Sequence, residues 1–301
     1  MTSKKRKQIE RESSPEPRWF VSQSSQVMKL AARFKKLKYD TVNLPKSAFL
    51  FKVRDIKKLN VTFEEAKAET EVIPNIQADM KNLQKYIAPN FNYETISSEA
   101  FNIAKITDIT DGRVLTFLSK LNSMILNCRK TISFVYSLLF AADLDNYPSM
   151  ISIRPMNKLV INGQEVVTAQ PGFVVTSKKL MFVIEEDDGL KNISISTGYG
   201  ESQIGAEILA CAYTNRSQEL VDEDQTIFAM RIISAHATFY KAIIPAGYWK
   251  DLDEGFPKEK IVRVTRWPAR NGKMSGYNLG NPKDRQNVLR IMAKIRELLL
   301  L

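Results

Sequence analysis

The chain has 301 residues, 44% of them hydrophobic and 26% charged, enough apolar material for one large or two modest globular domains. Forty-four basic against 33 acidic side chains leave a net charge of +11, which suits an anionic partner such as nucleic acid or an anionic membrane surface, and also serves solubility. Two cysteines without C-x-x-C spacing, Cys128 and Cys211, read as buried free thiols, and one histidine, His236, is too few for a His-rich metal centre.

Residues 1–18 are polar, rich in Lys, Arg, Glu, Ser and Pro, and cannot offset their ordering entropy; the expectation is a disordered tail. This opening has a basic start but no apolar core, so no secretory signal is expected in it. Its cluster Lys4-Lys5-Arg6-Lys7 has the form of a nuclear-localisation element, which points to a nuclear or cytoplasmic protein. From Ser22 to Lys38, Val27, Leu30, Ala31, Phe34 and Leu37 make one helical face among lysines and arginine. That helix suits phosphates, an anionic lipid surface, or simple solvation.

Residues 19–110 are expected to form a mostly helical N-terminal region, with a β-like run at Phe49–Val53 and a helix from Phe63 to Tyr86 broken at Pro74. Arg113 to Ala142 is strongly helical; its run Ile132–Ala142 is too short to span a membrane and reads as buried helix. After Pro148 the texture changes to strands. Met150–Arg154 is short, and Lys158–Ile161 and Gln164–Thr168 flank Asn162-Gly163, a type I′ hairpin signal. Gly172–Thr176 and Lys179–Glu186 form a second pair, followed by a helix from Gly200 to Thr214. Thr226–Ser234 and Ala237–Ile244 read as strands, and Lys260–Trp267 alternates as an edge strand would. Pro282 opens a terminal helix capped by Asn281. The order predicts an α/β (α+β) domain over 111–301, a mixed sheet between helices.

One stretch carries chemistry. Side chains alternate along a strand, so Glu185 and Asp187 share one face at its end and Glu186 takes the other. Two carboxylates so placed suit a hard cation such as Mg²⁺, which polarises a phosphodiester and activates water. On the next helix Gln203 and Glu207 lie one turn apart. Lys178, Lys179 and Lys191 flank the stretch and suit phosphate contacts.

With Pro171-Gly172, Glu185-Glu186-Asp187 and Gln203-Ile204-Gly205-Ala206-Glu207 in this order, the chain resembles the PD-(D/E)XK nuclease superfamily, in particular its fungal nuclease-like members. GYGESQIGAEILACAYTN and TIFAMRIISAHATFYKAIIPAGYW carry the likeness, which covers roughly 145–300. It implies a three-layer restriction-endonuclease-like core, Mg²⁺ as cofactor, DNA or RNA as partner, and Glu185, Asp187, Gln203 and Glu207 as site residues. Two positions depart from the pattern. Gly172 stands where the family has aspartate, and Asp187 where it has lysine. The first removes a metal ligand and the second a positive charge; Asp187 or Asp188 and Lys179 or Lys191 are the candidate substitutes. The reading is a nuclease-like protein with a degenerate site, against weak Mg²⁺-dependent hydrolysis. The alternative is a non-enzymatic interaction protein on the same fold.

Overall fold

The computed structural model describes residues 28–29, 31–32, 43–127, 130–177, 180–187, 193–218 and 223–300. The tail with Lys4–Lys7, most of the basic helix 22–38, Cys128, Lys178, Lys179, Asp188 and Lys191 lie outside them; Met28, Lys29, Ala31 and Ala32 are helical.

The helices are α1 (Val53–Lys58), α2 (Gln84–Ile87), α3 (Tyr93–Ser97), α4 (Gly112–Leu126), α5 (Thr131–Ala141), α6 (Glu201–Gln218), α7 (Tyr248–Glu254) and α8 (Pro282–Leu300). The strands are β1 (Val61–Glu65), β2 (Met150–Ile153), β3 (Asn157–Ile161), β4 (Gln164–Ala169), β5 (Phe173–Ser177), β6 (Leu180–Asp187), β7 (Gln225–Ile233), β8 (His236–Ile244), β9 (Val262–Trp267) and β10 (Tyr277–Asn278). Eight of them form one mixed sheet in the order β1-β9-β8-β7-β6-β5-β2, with β10 also paired to β8. The β6–β7 and β1–β9 pairs are parallel and the others antiparallel. β3 and β4 make a separate hairpin around Asn162-Gly163, both at positive φ as a type I′ turn demands.

Alternation along the strands sorts the core into two layers. Phe182 and Ile184 of β6, with Phe228, Met230 and Ile232 of β7, pack under α4, α5 and α8. Met181 and Val183, with Ile227 and Ala229, pack under α6, α1 and the β3–β4 hairpin. The result is helix, sheet and helix in three layers, as the mixture of strands and helices requires. Helix α6 is buried on nearly every side through Ala212 because the sheet covers one face and the hairpin and α1 another. Gly205 permits that closeness: a Cβ there would meet Phe63 and Ile56 at 3.1 and 3.2 Å.

Three expectations are corrected. Phe49–Val53 is not a strand but a 3-10 turn, Ala48–Leu50, leading into α1. The Phe63–Tyr86 segment is not a broken helix: its start is β1, where Val61 is buried and Phe63 packs on Tyr240 edge to face. β-branched Val61 and Thr62 after the turn at Asn60 favour that extension. Consequently β9 is not an edge strand, since β1 covers it from Val61↔Val262 to Glu65↔Arg266. The N-terminal region therefore shares the sheet and the core of the C-terminal one.

The two regions are also riveted by Arg285, which is fully buried on α8. Its guanidinium donates to the carbonyls of Ile87, Ala88, Phe91, Leu279 and Gly280, at 2.7 to 3.3 Å. Nearby, Arg290 clasps both oxygens of Glu69 at 2.7 and 2.6 Å, and Lys294 adds a third contact at 3.0 Å. Asn281 caps α8 by accepting from the Lys283 amide at 2.9 Å. Among the described residues no helix is long and apolar enough to cross a membrane.

Candidate functional site

The end of β6 and the first turns of α6 converge. Gln203 Nε2 donates to Glu185 Oε1 at 2.5 Å and to Glu207 Oε1 at 2.9 Å. Three of the four expected site residues thus form one cluster. The fourth, Asp187, is the last residue of β6, with only its backbone described.

Both carboxyls are held above the usual carboxylate range. Burial is the main cause for Glu185, with the nearby charges of Glu207 and Glu186 adding to it. Burial is also the main cause for Glu207, pushed up to about 7 although Gln203 and Glu185 hydrogen bonds oppose it. The second oxygen of Glu207 is buried with no hydrogen-bond partner. Two acids gathered on one amide, Glu207 buried and Glu185 half-buried, favour holding a proton between them.

This sets the pH dependence. The folded-state values lie above the unfolded ones, so the pair is most favourable below the usual carboxylate range. Its contribution is lost as pH rises through about 7. Glu207→Gln keeps the partner for Gln203 and removes the titration. The expected result is a Tm close to wild type at acid pH and several degrees higher at pH 8, read by thermal melts across pH. A shift from 4.5 to about 7 corresponds to a cost on the order of 3 kcal/mol for the charged form.

Gly172 sits beside this cluster. It precedes β5, whose Phe173 pairs with Ile184, and its backbone amide offsets a little of the rise in the Glu185 pKa. A Cβ at Gly172 would lie 1.6 Å from Glu186 Oε2. The carboxylate that alternation sends to the other face therefore fills the space a side chain at 172 would need. The vacancy inferred from the sequence is filled by the neighbouring acid.

A second polar group runs beside the first and was missed by sequence reasoning. Arg231 of β7 is the register partner of Glu185 and is 2% exposed. It donates to the Tyr199 carbonyl and, at 3.1 Å, to Asn271 Oδ1. Asn271 in turn donates to the Gly198 carbonyl at 3.1 Å. Gly198, Tyr199 and Gly200 all have positive φ, so two polar side chains clamp the left-handed turn from which α6 starts. On β9, buried Arg266 bonds Glu201 at 3.1 Å and Glu65 at 2.7 Å. The signal was present as a lone arginine inside IFAMRII and another inside the alternating VRVTRW. Neither could be assigned a face without knowing that β1 and α6 cover them.

The cation expected to replace the absent lysine is thus not identified at the carboxylate pair: Lys179 and Lys191 lie outside the described residues, and Arg231 and Arg266 serve the turn and Glu201. Elsewhere, Cys211 is a buried free thiol whose pKa is raised by burial. His236 is buried and its pKa lowered by burial, which suits a structural role.

The carboxyl oxygens of Glu185 and Glu207 are donors of the kind Mg²⁺ takes, and the Gln203 amide N–H₂ lies between them. Among the described residues no group of three His, Cys, Asp or Glu is placed to hold a metal ion. No family model matches the chain, and no curated protein matches it.

Proposed function

We propose that this is a nucleic-acid-associated protein on a nuclease-like fold whose strand-end site no longer hydrolyses phosphodiesters. The observation that carries the reading is the Gln203 amide bridging Glu185 and Glu207 at 2.5 and 2.9 Å. Spacing and order match a nuclease helix motif beside a strand-end acid, while the bridge places a donor where such chemistry needs a cation. Glu186 against Gly172 supports the same conclusion. DNA or RNA as partner rests on the net charge of +11 and would be held mainly through phosphates, with the salt dependence this entails. Lys4-Lys5-Arg6-Lys7 favours a nuclear location within this reading.

The test is incubation of plasmid DNA and of RNA with Mg²⁺ or Mn²⁺, comparing wild type with Glu185→Ala. The expected result is no metal-dependent cleavage in either, and no rise in wild-type Tm when Mn²⁺ is added. Cleavage by wild type that Glu185→Ala abolishes would falsify the reading and establish a weak metal-dependent nuclease instead.

A second reading, a protein-interaction module, is favoured by β2. This edge strand exposes Met150 and Ile153, flanked by exposed Tyr147 and Met156. It predicts a partner bound by strand addition.

A further inference from the structure

On the other side of the sheet, α4, α5 and α2 enclose a cleft of about 510 Å³, within the usual size of a small-molecule site. Its lining joins two kinds of group. The aromatic ones are Tyr86, which is buried, and Tyr136 and Phe140, which stand one turn apart on α5 and are 42% and 40% exposed. Tyr136 is held in place by stacking on Phe173, with ring centroids 6.5 Å apart. The cationic groups are Arg113, whose guanidinium lies 5.5 Å from the Phe140 ring centroid, and Lys120. The single acid in the lining, Asp111, is already engaged: it caps α4 through the Arg113 amide at 2.8 Å and meets Lys85 at 2.8 Å. Its charge is thereby offset, and the lining is left net positive.

We infer that this cleft binds a nucleotide unit, the base against Tyr136 and Phe140 and the phosphate at Arg113 and Lys120. A purely apolar ligand would leave two cations unused at the rim. A metal ion would be repelled by them. A planar aromatic carrying an anion satisfies both halves of the lining, since π faces stack on bases of any sequence and cations hold phosphate. Gly112 leaves the backbone at the mouth uncovered, because a Cβ there would meet nothing within 4 Å.

The unit arrives either as a free mononucleotide or within a single strand; the second source rests on the nucleic-acid reading above, the first does not. The experiment titrates the full chain with AMP by calorimetry and with a fluorescein-labelled short oligodeoxyadenylate by anisotropy. Wild type is compared with Tyr136→Ala and Lys120→Glu, with Lys250→Glu as a surface control and Tm as a check on folding. The expected result is AMP binding weakened about tenfold by either cleft variant and unchanged by the control. Parallel weakening of the oligonucleotide assigns the strand as source; an oligonucleotide unaffected by the variants assigns the free nucleotide. A wild type that binds no AMP, together with oligonucleotide binding equal in all variants, overturns the cleft and leaves the nucleic-acid reading standing. AMP binding that depends on the cleft in a protein with no affinity for the oligonucleotide does the reverse.

Discussion

Arg285→Leu is expected to abolish stable folding at 37 °C. The guanidinium is fully buried and serves five backbone carbonyls on two segments far apart in sequence. Leucine fills part of the volume but removes the guanidinium from five buried acceptors; Ala88 O keeps the Phe91 amide, and the other four lose this donor at about 1–3 kcal/mol each. Even with relaxation and water entry, the loss exceeds about 4 kcal/mol, a large part of the stability of an ordinary domain. Arg285→Lys keeps the charge but presents three donors from a single point, and is expected to cost about 2–3 kcal/mol. Urea denaturation followed by circular dichroism checks both. If Arg285→Leu lowered the midpoint no more than an average surface substitution, the rivet would have no energetic weight.

The second large effect is expected from placing an aspartate at position 172, where the nuclease pattern that the sequence resembles has one. Gly172→Asp looks like a repair when only the sequence is read. In the structure its Cβ would overlap Glu186 Oε2 and Cδ, at 1.6 and 2.4 Å. Glu186 is 8% exposed, so its carboxylate must be displaced within a crowded layer, and the new acid adds a third negative charge beside Glu185. A destabilisation of about 3 kcal/mol is expected. Glu186→Ala opens the space, so Gly172→Asp/Glu186→Ala should be more stable than Gly172→Asp alone. The coupling in that double-mutant cycle, about 1–3 kcal/mol, measures the steric and charge conflict directly. Additive single and double changes would show that the acid does not occupy the glycine's place.

Parts of this molecule were legible because they depend on local periodicity. The period-two run LMFVIEED identified β6 and the shared face of Met181, Val183 and Glu185. The four-residue spacing of Gln203 and Glu207 put both on one side of α6. The Asn-Gly turn located the β3–β4 hairpin. What was not legible depends on partners distant in sequence. Phe63 reads as helical until β9 is known to lie beside it. Arg231 and Arg266 have no assignable face until α6 and β1 are known to cover them. Glu186 reads as a bystander until the bend at Gly172 turns the space beside that glycine toward its carboxylate.

The position of β1 also bears on how the chain is made. Its neighbour β9 follows it by some two hundred residues; the Arg266–Glu65 ion pair alone spans a separation of 201. During synthesis β1 emerges long before any strand it can pair with, and the carbonyls of Ile87 to Phe91 emerge long before Arg285. β9 and α8, made some two hundred residues later, are therefore the segments that secure β1 and the stretch from Ile87 to Phe91. Until β9 and α8 are made, β1 and the carbonyls of Ile87 to Phe91 lack these partners, so this part of the fold closes through contacts of large sequence separation, which are slow to form.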